Sequence, residues 1–92
     1  MKKRVEATVF GAVQGVSFRY YTRREAERLQ LTGWVANQLD GTVRVIAEGS
    51  QYSLQELARF LQQGSPGSRV DHVKIDWFDA TNEFSKFTIH LL

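Results

Sequence analysis

The chain has no cysteine. That excludes a disulfide staple, a thiolate zinc site, an iron–sulfur cluster and a thiol nucleophile, and it permits a reducing compartment. No apolar run reaches transmembrane length, so no membrane partner is expected. The basic start Met1-Lys2-Lys3-Arg4 has no apolar stretch behind it and does not form a secretory signal. The expectation is a soluble, cytoplasmic protein. Low-complexity segments, short repeats and long linkers are missing too, so the 92 residues read as one domain, 1–92, with no space for a separate cofactor domain. The two histidines, His72 and His90, lie far apart without a His-x-x-x-His or mixed His/Asp spacing. Both read as surface residues; neither a metal nor a cofactor is expected.

What is present suffices for a core: 42% of residues are hydrophobic and 12% aromatic. The formal net charge is +2, and its distribution says more than its size. Residues 1–46 carry eight basic and four acidic side chains; residues 47–92 carry four and six. A positive first half suits an anionic ligand there, and equally a solvated basic face.

Val5-Glu6-Ala7-Thr8-Val9 alternates as a strand, with Lys2-Lys3-Arg4 as a solvated flank, and runs into the loop Gly11–Ser17. From Phe18 the period becomes helical, with Phe18, Thr22, Ala26 and Leu29 on one face, an Arg23–Glu27 pair outside it, and Gly33 placed to end it. Two strands follow, Trp34–Leu39 and Thr42–Glu48, joined through the hairpin signal Asp40-Gly41. Ser53 and Glu56 have capping-box spacing at the head of a second helix with the stripe Leu54, Leu57, Phe60 and Leu61, stopped by Gly64-Ser65-Pro66-Gly67. Val73, Ile75 and Trp77 mark a fourth strand; Phe87, Ile89 and Leu91 mark a fifth beyond the turn Asp79–Asn82. Trp34 and Trp77 are expected in or beside the core. The order β-α-β-β-α-β-β is an α+β, ferredoxin-like sandwich: an antiparallel sheet with two helices on one face, joined by right-handed β-α-β crossovers. No dimer seam is evident, so a monomer is expected. A fold of this kind hosts many activities and names none.

The chemistry concentrates between the first strand and the first helix. A glycine-containing loop entering a helix N-terminus offers backbone N–H groups at the positive end of the helix dipole, which favours phosphate or a similar anion such as sulfate. Arg19 stands in the first helical turn, where a cation is unfavourable to the helix itself. Either it clamps a bound phosphate through its two-pronged guanidinium, or it snorkels or pairs with a nearby carboxylate. The loop is neither a Walker sequence, which ends Gly-Lys-Ser/Thr, nor a G-x-G-x-x-G fingerprint. Ser17 is its hydroxyl, has no base near it in sequence, and reads as a helix N-cap rather than a nucleophile. Asn37, three residues before Asp40, can shape the hairpin or serve the site.

Val9-Phe10-Gly11-Ala12-Val13-Gln14-Gly15-Val16-Ser17-Phe18-Arg19 resembles the first signature of the acylphosphatases. Gly33-Trp34-Val35-Ala36-Asn37, followed by Gly41, Val43 and Gly49, resembles the second. The resemblance covers essentially the whole chain. It implies hydrolysis of a carboxyl–phosphate anhydride to carboxylate and inorganic phosphate, without a metal. It further implies that Arg19, with backbone N–H groups of Gln14, Gly15, Val16, Ser17 and Phe18, binds the phosphate, and that Asn37 orients the attacking water. Ala36 departs from the Lys or Arg that many members carry there.

The chemistry is compatible with so small a set of groups. Phosphoryl transfer rests on positioning and charge stabilisation. An acyl phosphate expels a carboxylate, which needs no general acid, whereas a monoester expels a poor alkoxide. Two other classes stand beside this one. An RNA-recognition module shares the fold, but no segment fits its K/R-G-F/Y-G/A-F-V-x-F/Y sequence, so nucleic acid is not expected as a partner. A non-catalytic anion-binding module with the same loop is the other.

Overall fold

The period-2 and period-3.6 patterns become five strands and two helices in the computed structural model, which describes residues 1–91. They are β1 (Lys2–Ala12), α1 (Phe18–Arg28), β2 (Thr32–Asn37), β3 (Val43–Ser50), α2 (Gln51–Gln63), β4 (Arg69–Asp79) and β5 (Phe87–His90). The sheet order is β4-β1-β3-β2-β5. Val5, Ala7 and Val9 of β1 and Val43, Val45 and Ala47 of β3 form the buried face. Against it pack Phe18 and Ala26 of α1 and Leu54, Leu57 and Leu61 of α2. Helix α1 lies over β2 and β5, and α2 over β1, β3 and β4. This is the expected ferredoxin-like α+β sandwich.

The sheet is mixed rather than wholly antiparallel, because β5 pairs parallel with β2 (Val35 opposite Ile89). The reason is the route of the chain. It leaves β4 at one edge, crosses under β1, β3 and β2 through residues 80–86, and enters β5 at the far edge. Strands β1, β2 and β5 therefore run in one direction, and their C-terminal ends meet at one pole of the sheet.

Several local expectations are corrected. Lys2, Lys3 and Arg4 are not a loose flank but the first rungs of β1, opposite Ser50, Gly49 and Glu48. The cap of α2 is Ser50, whose side chain accepts from the Ser53 N–H at 3.1 Å, so the Ser53/Glu56 box does not form. Helix α1 ends at Arg28, and Gln30 takes the left-handed turn at φ 60°. Gly33 instead sits inside β2 at φ 137°, where a Cβ would collide with the Ile46 carbonyl oxygen. The ion pair on α1 is Glu25–Arg28 at 2.7 Å, in place of Arg23–Glu27. Trp77 is 44% exposed, because its place opposite Val5 on the edge strand is left uncovered. Leu91 falls just beyond β5 and is exposed.

The start of the 80–86 crossover is tied down by a buried carboxylate. Glu48, 2% exposed on the sheet face away from the helices, accepts from the Thr81 N–H (2.9 Å), the Thr81 hydroxyl (2.9 Å) and the Asn82 N–H (2.9 Å). Arg4 Nη1 donates to it at 2.9 Å. Burial pushes its pKa up, but these donors outweigh burial and bring it down to about 2. A carboxylate whose folded pKa is depressed contributes stability that is complete above its unfolded pKa and lost as pH falls through the folded one. The melting temperature is therefore expected to drop between about pH 4.5 and about pH 2. Glu48→Gln should flatten that part of the profile, and Glu48→Ala should cost on the order of 3 kcal/mol at neutral pH by removing the acceptor of the Thr81 and Asn82 N–H groups and one carboxylate partner of Arg4. Thermal melts of the three proteins across pH check both; an unchanged acid limb in Glu48→Gln contradicts the assignment.

Candidate active site

The pole where β1, β2 and β5 end is where the sequence motifs converge. Val13 and Phe18 are each 1% exposed, so both ends of the β1–α1 loop are anchored in the core. The residues between must reverse the chain in a short span. Gly15 (φ 76°) and Ser17 (φ 61°) do so in left-handed conformations. Glycine adopts this freely, whereas for Ser17 it carries a cost of about 1–2 kcal/mol. Ser17 stands at the N-cap position as expected, but its side chain makes no capping hydrogen bond, and no acidic residue lies in the first turn. The first helical bond runs from the Tyr21 N–H to the Ser17 carbonyl at 3.1 Å, so the amides of Phe18, Arg19 and Tyr20 precede it.

Facing this terminus is a cleft of about 340 Å³ lined by Val13, Gly15, Ser17, Phe18, Arg19, Tyr20, Asn37 and Ile89. Arg19 and Asn37, eighteen positions apart in the chain, share it. Arg19 Nη1 donates to the His90 carbonyl at 3.2 Å. Among the described residues no carboxylate lies within salt-bridge distance of Arg19, which removes the simplest alternative reading of this residue. Asn37 closes β2, and its side-chain oxygen is buried without a hydrogen-bond partner. A buried polar atom in that state costs about 1–3 kcal/mol unless something donates to it. It is therefore not a hairpin-shaping Asn, whose side chain would be spent on the turn. Among the described residues no three His, Cys, Asp or Glu side chains come together as metal ligands.

Gly15, Ser17, Phe18, Arg19 and Asn37 are thus brought together, while Gln14 and Val16 do not line the cleft. Val16 packs against the core. The Gln14 side chain turns away to the β2–β3 hairpin, donating to the carbonyls of Gln38 (2.7 Å) and Thr42 (2.9 Å). Tyr20 and Ile89 line the cleft and were not anticipated. Tyr20 was readable as the neighbour of Arg19. Ile89 was not, because its place depends on the parallel pairing of β5 with β2. His72 and His90 are both exposed, and His90 stacks on Trp34 with centroids 5.0 Å apart.

Comparison with known proteins points in one direction. A family model described as Acylphosphatase matches residues 5–89. The acylphosphatase of Salinibacter ruber is 47% identical over 88 residues, covering 96% of this chain and 93% of that protein. That of Bacillus licheniformis is 47% identical over 81 residues, covering 88% and 90%. Among solved structures, the Bacillus subtilis acylphosphatase superimposes with a TM-score of 0.92 at 35% identity, covering 96% of this chain and 98% of that one. An acylphosphatase from Coxiella burnetii gives 0.91 at 37%, covering 97% and 93%.

Proposed function

This chain belongs to the acylphosphatase family and is an acyl-phosphate hydrolase, and from that premise we propose how it carries out the reaction. The phosphoryl group sits at the loop, receiving hydrogen bonds from the backbone N–H groups of residues 14–18. Arg19 leaves the His90 carbonyl and clamps two phosphoryl oxygens. Its bond to a neutral carbonyl is weaker than the charge-assisted pair it forms with phosphate, so the exchange is favourable. The Asn37 side-chain amide hydrogen-bonds a water and aims its lone pair at phosphorus, opposite the leaving carboxylate, and the water's protons leave with the inorganic phosphate. The P–O bond to the acyl group breaks as the water O–P bond forms, releasing carboxylate and inorganic phosphate. The observation that carries this reading is the shared cleft: Arg19, which has no acidic partner among the described residues, lines it together with Asn37.

No metal takes part in this scheme, because the guanidinium and the loop dipoles meet the charge and the leaving group needs no proton. The catalytic unit is one domain over residues 1–92, acting as a cytoplasmic monomer that binds acyl phosphates and, competitively, phosphate- or sulfate-like anions. Among the described residues no helix is long and apolar enough to cross a membrane.

The test is release of inorganic phosphate from benzoyl phosphate in the presence of EDTA. The wild type should turn over rapidly, and Arg19→Ala should lose on the order of a thousandfold in kcat/KM, as arginine contacts to transferring phosphoryl groups do. Absence of turnover by folded wild type would leave an anion-binding module. Asn37→Ala should lower kcat at similar inhibition by inorganic phosphate, since its partner is the water; full activity in that variant removes Asn37 from the mechanism. Ordinary phosphate monoesters should be hydrolysed at least about a hundredfold more slowly than benzoyl phosphate, because no acid protonates an alkoxide here. Parallel assays with p-nitrophenyl phosphate and glycerol phosphate measure that ratio.

A further inference from the structure

We propose that Gln14 is a positioning residue that sets the spacing between the two halves of the site, the anion-binding loop and Asn37. The proposal rests on the mechanism just given. The loop ends β1 and Asn37 ends β2, but β1 and β2 are not neighbours in the sheet; β3 lies between them. The ladder between them runs only indirectly, through Val43 of β3, which stands opposite both Val9 and Asn37, and the loop residues 13–17 lie beyond its last rung. In-line attack needs those two positions fixed to within a fraction of an ångström.

Gln14 spans this gap. Its amide donates one hydrogen to the Gln38 carbonyl at 2.7 Å and the other to the Thr42 carbonyl at 2.9 Å. A side-chain amide has two N–H bonds, so both are used and none is left for a phosphate oxygen. The receiving carbonyls are themselves fixed. The Gln38 N–H donates to the Thr42 carbonyl at 2.9 Å, and the Gly41 N–H donates to the Gln38 carbonyl at 3.1 Å. Asp40 Oδ1 accepts from the Thr42 N–H (3.0 Å) and from its hydroxyl (2.6 Å). Gln38 is the residue directly after Asn37, so the clamp acts on the backbone adjoining the one whose side chain holds the water. Among the described residues, these two are the side-chain hydrogen bonds that tie the loop to the hairpin.

Gln14→Met keeps the length of the side chain and removes both donors. In the folded variant, checked by circular dichroism and assayed well below its melting temperature, kcat for benzoyl phosphate should fall on the order of 30-fold. The inhibition constant for inorganic phosphate should stay within about twofold, because the loop and Arg19 are intact. The double variant Gln14→Met/Asn37→Ala should be no slower than Asn37→Ala alone, since Gln14 acts through Asn37. Unchanged kcat in Gln14→Met overturns the proposal. So does a loss of phosphate affinity equal to the loss of kcat, or a double variant in which the two losses multiply. A fully active Asn37→Ala is a different failure: it brings down the water-orienting reading itself, and the Gln14 role with it. Should Gln14→Met not fold, Gln14→Ala removes the same donors and carries the same comparison.

Discussion

The site exists because Val13 and Phe18 are both in the core. Each is 1% exposed, and four residues connect them. Burying a phenylalanine contributes about 1.5–3 kcal/mol, and a buried valine adds to it. The left-handed conformation of Ser17 costs about 1–2 kcal/mol. Packing wins, and the chain is forced into a tight curl whose strain would otherwise relax into an ordinary strand-to-helix turn. Helix α1 is left without a side-chain cap at its N-terminus. The folding energy of the core thus maintains a terminus that suits an anion better than it suits the protein alone.

The two poles of the sheet treat charge in opposite ways. Beneath the 80–86 crossover, Glu48, Arg4, Glu6 and Arg44 satisfy one another, with separations of 2.9 to 3.1 Å. At the other pole Arg19 touches a neutral carbonyl, and Asn37 holds an unmatched oxygen. The first arrangement closes the fold; the second leaves a cation and an amide side chain lining one cleft. The carboxylates of the closing network are taken up by Arg4 and Arg44, and none of them lies within salt-bridge distance of Arg19.

The architecture was legible because its signals are local. Alternation in Val5–Val9, the helical stripe Leu54, Leu57, Leu61, and the Asp40-Gly41 turn each depend on residues within one element. That Arg19 and Asn37 share one cleft was legible for a second reason: both lie in motifs whose spacing is itself specific. What stayed hidden was settled between elements. Gly33 looked like a helix stop because its real constraint, the approach of Ile46 from β3, has no signature near it in sequence. The parallel seat of β5 and the burial of Glu48 depend on the path of the crossover. Gln14 sits inside the loop motif expected to bind phosphate, and nothing in that motif says that its side chain points to the hairpin.

The stack of Trp34 on His90 has a spectroscopic consequence. The two tryptophans stand near opposite edges of the sheet, Trp34 on β2 beside β5 and Trp77 on β4. The indole of Trp34 lies against an imidazole at a 15° interplanar angle. The carbonyl of that same His90 is the one Arg19 holds. A ligand that draws the guanidinium away therefore acts one residue from a fluorophore, while the other tryptophan, across the molecule, provides a constant background. In the proposed mechanism Trp34 emission is then expected to change as the site fills, with no label needed.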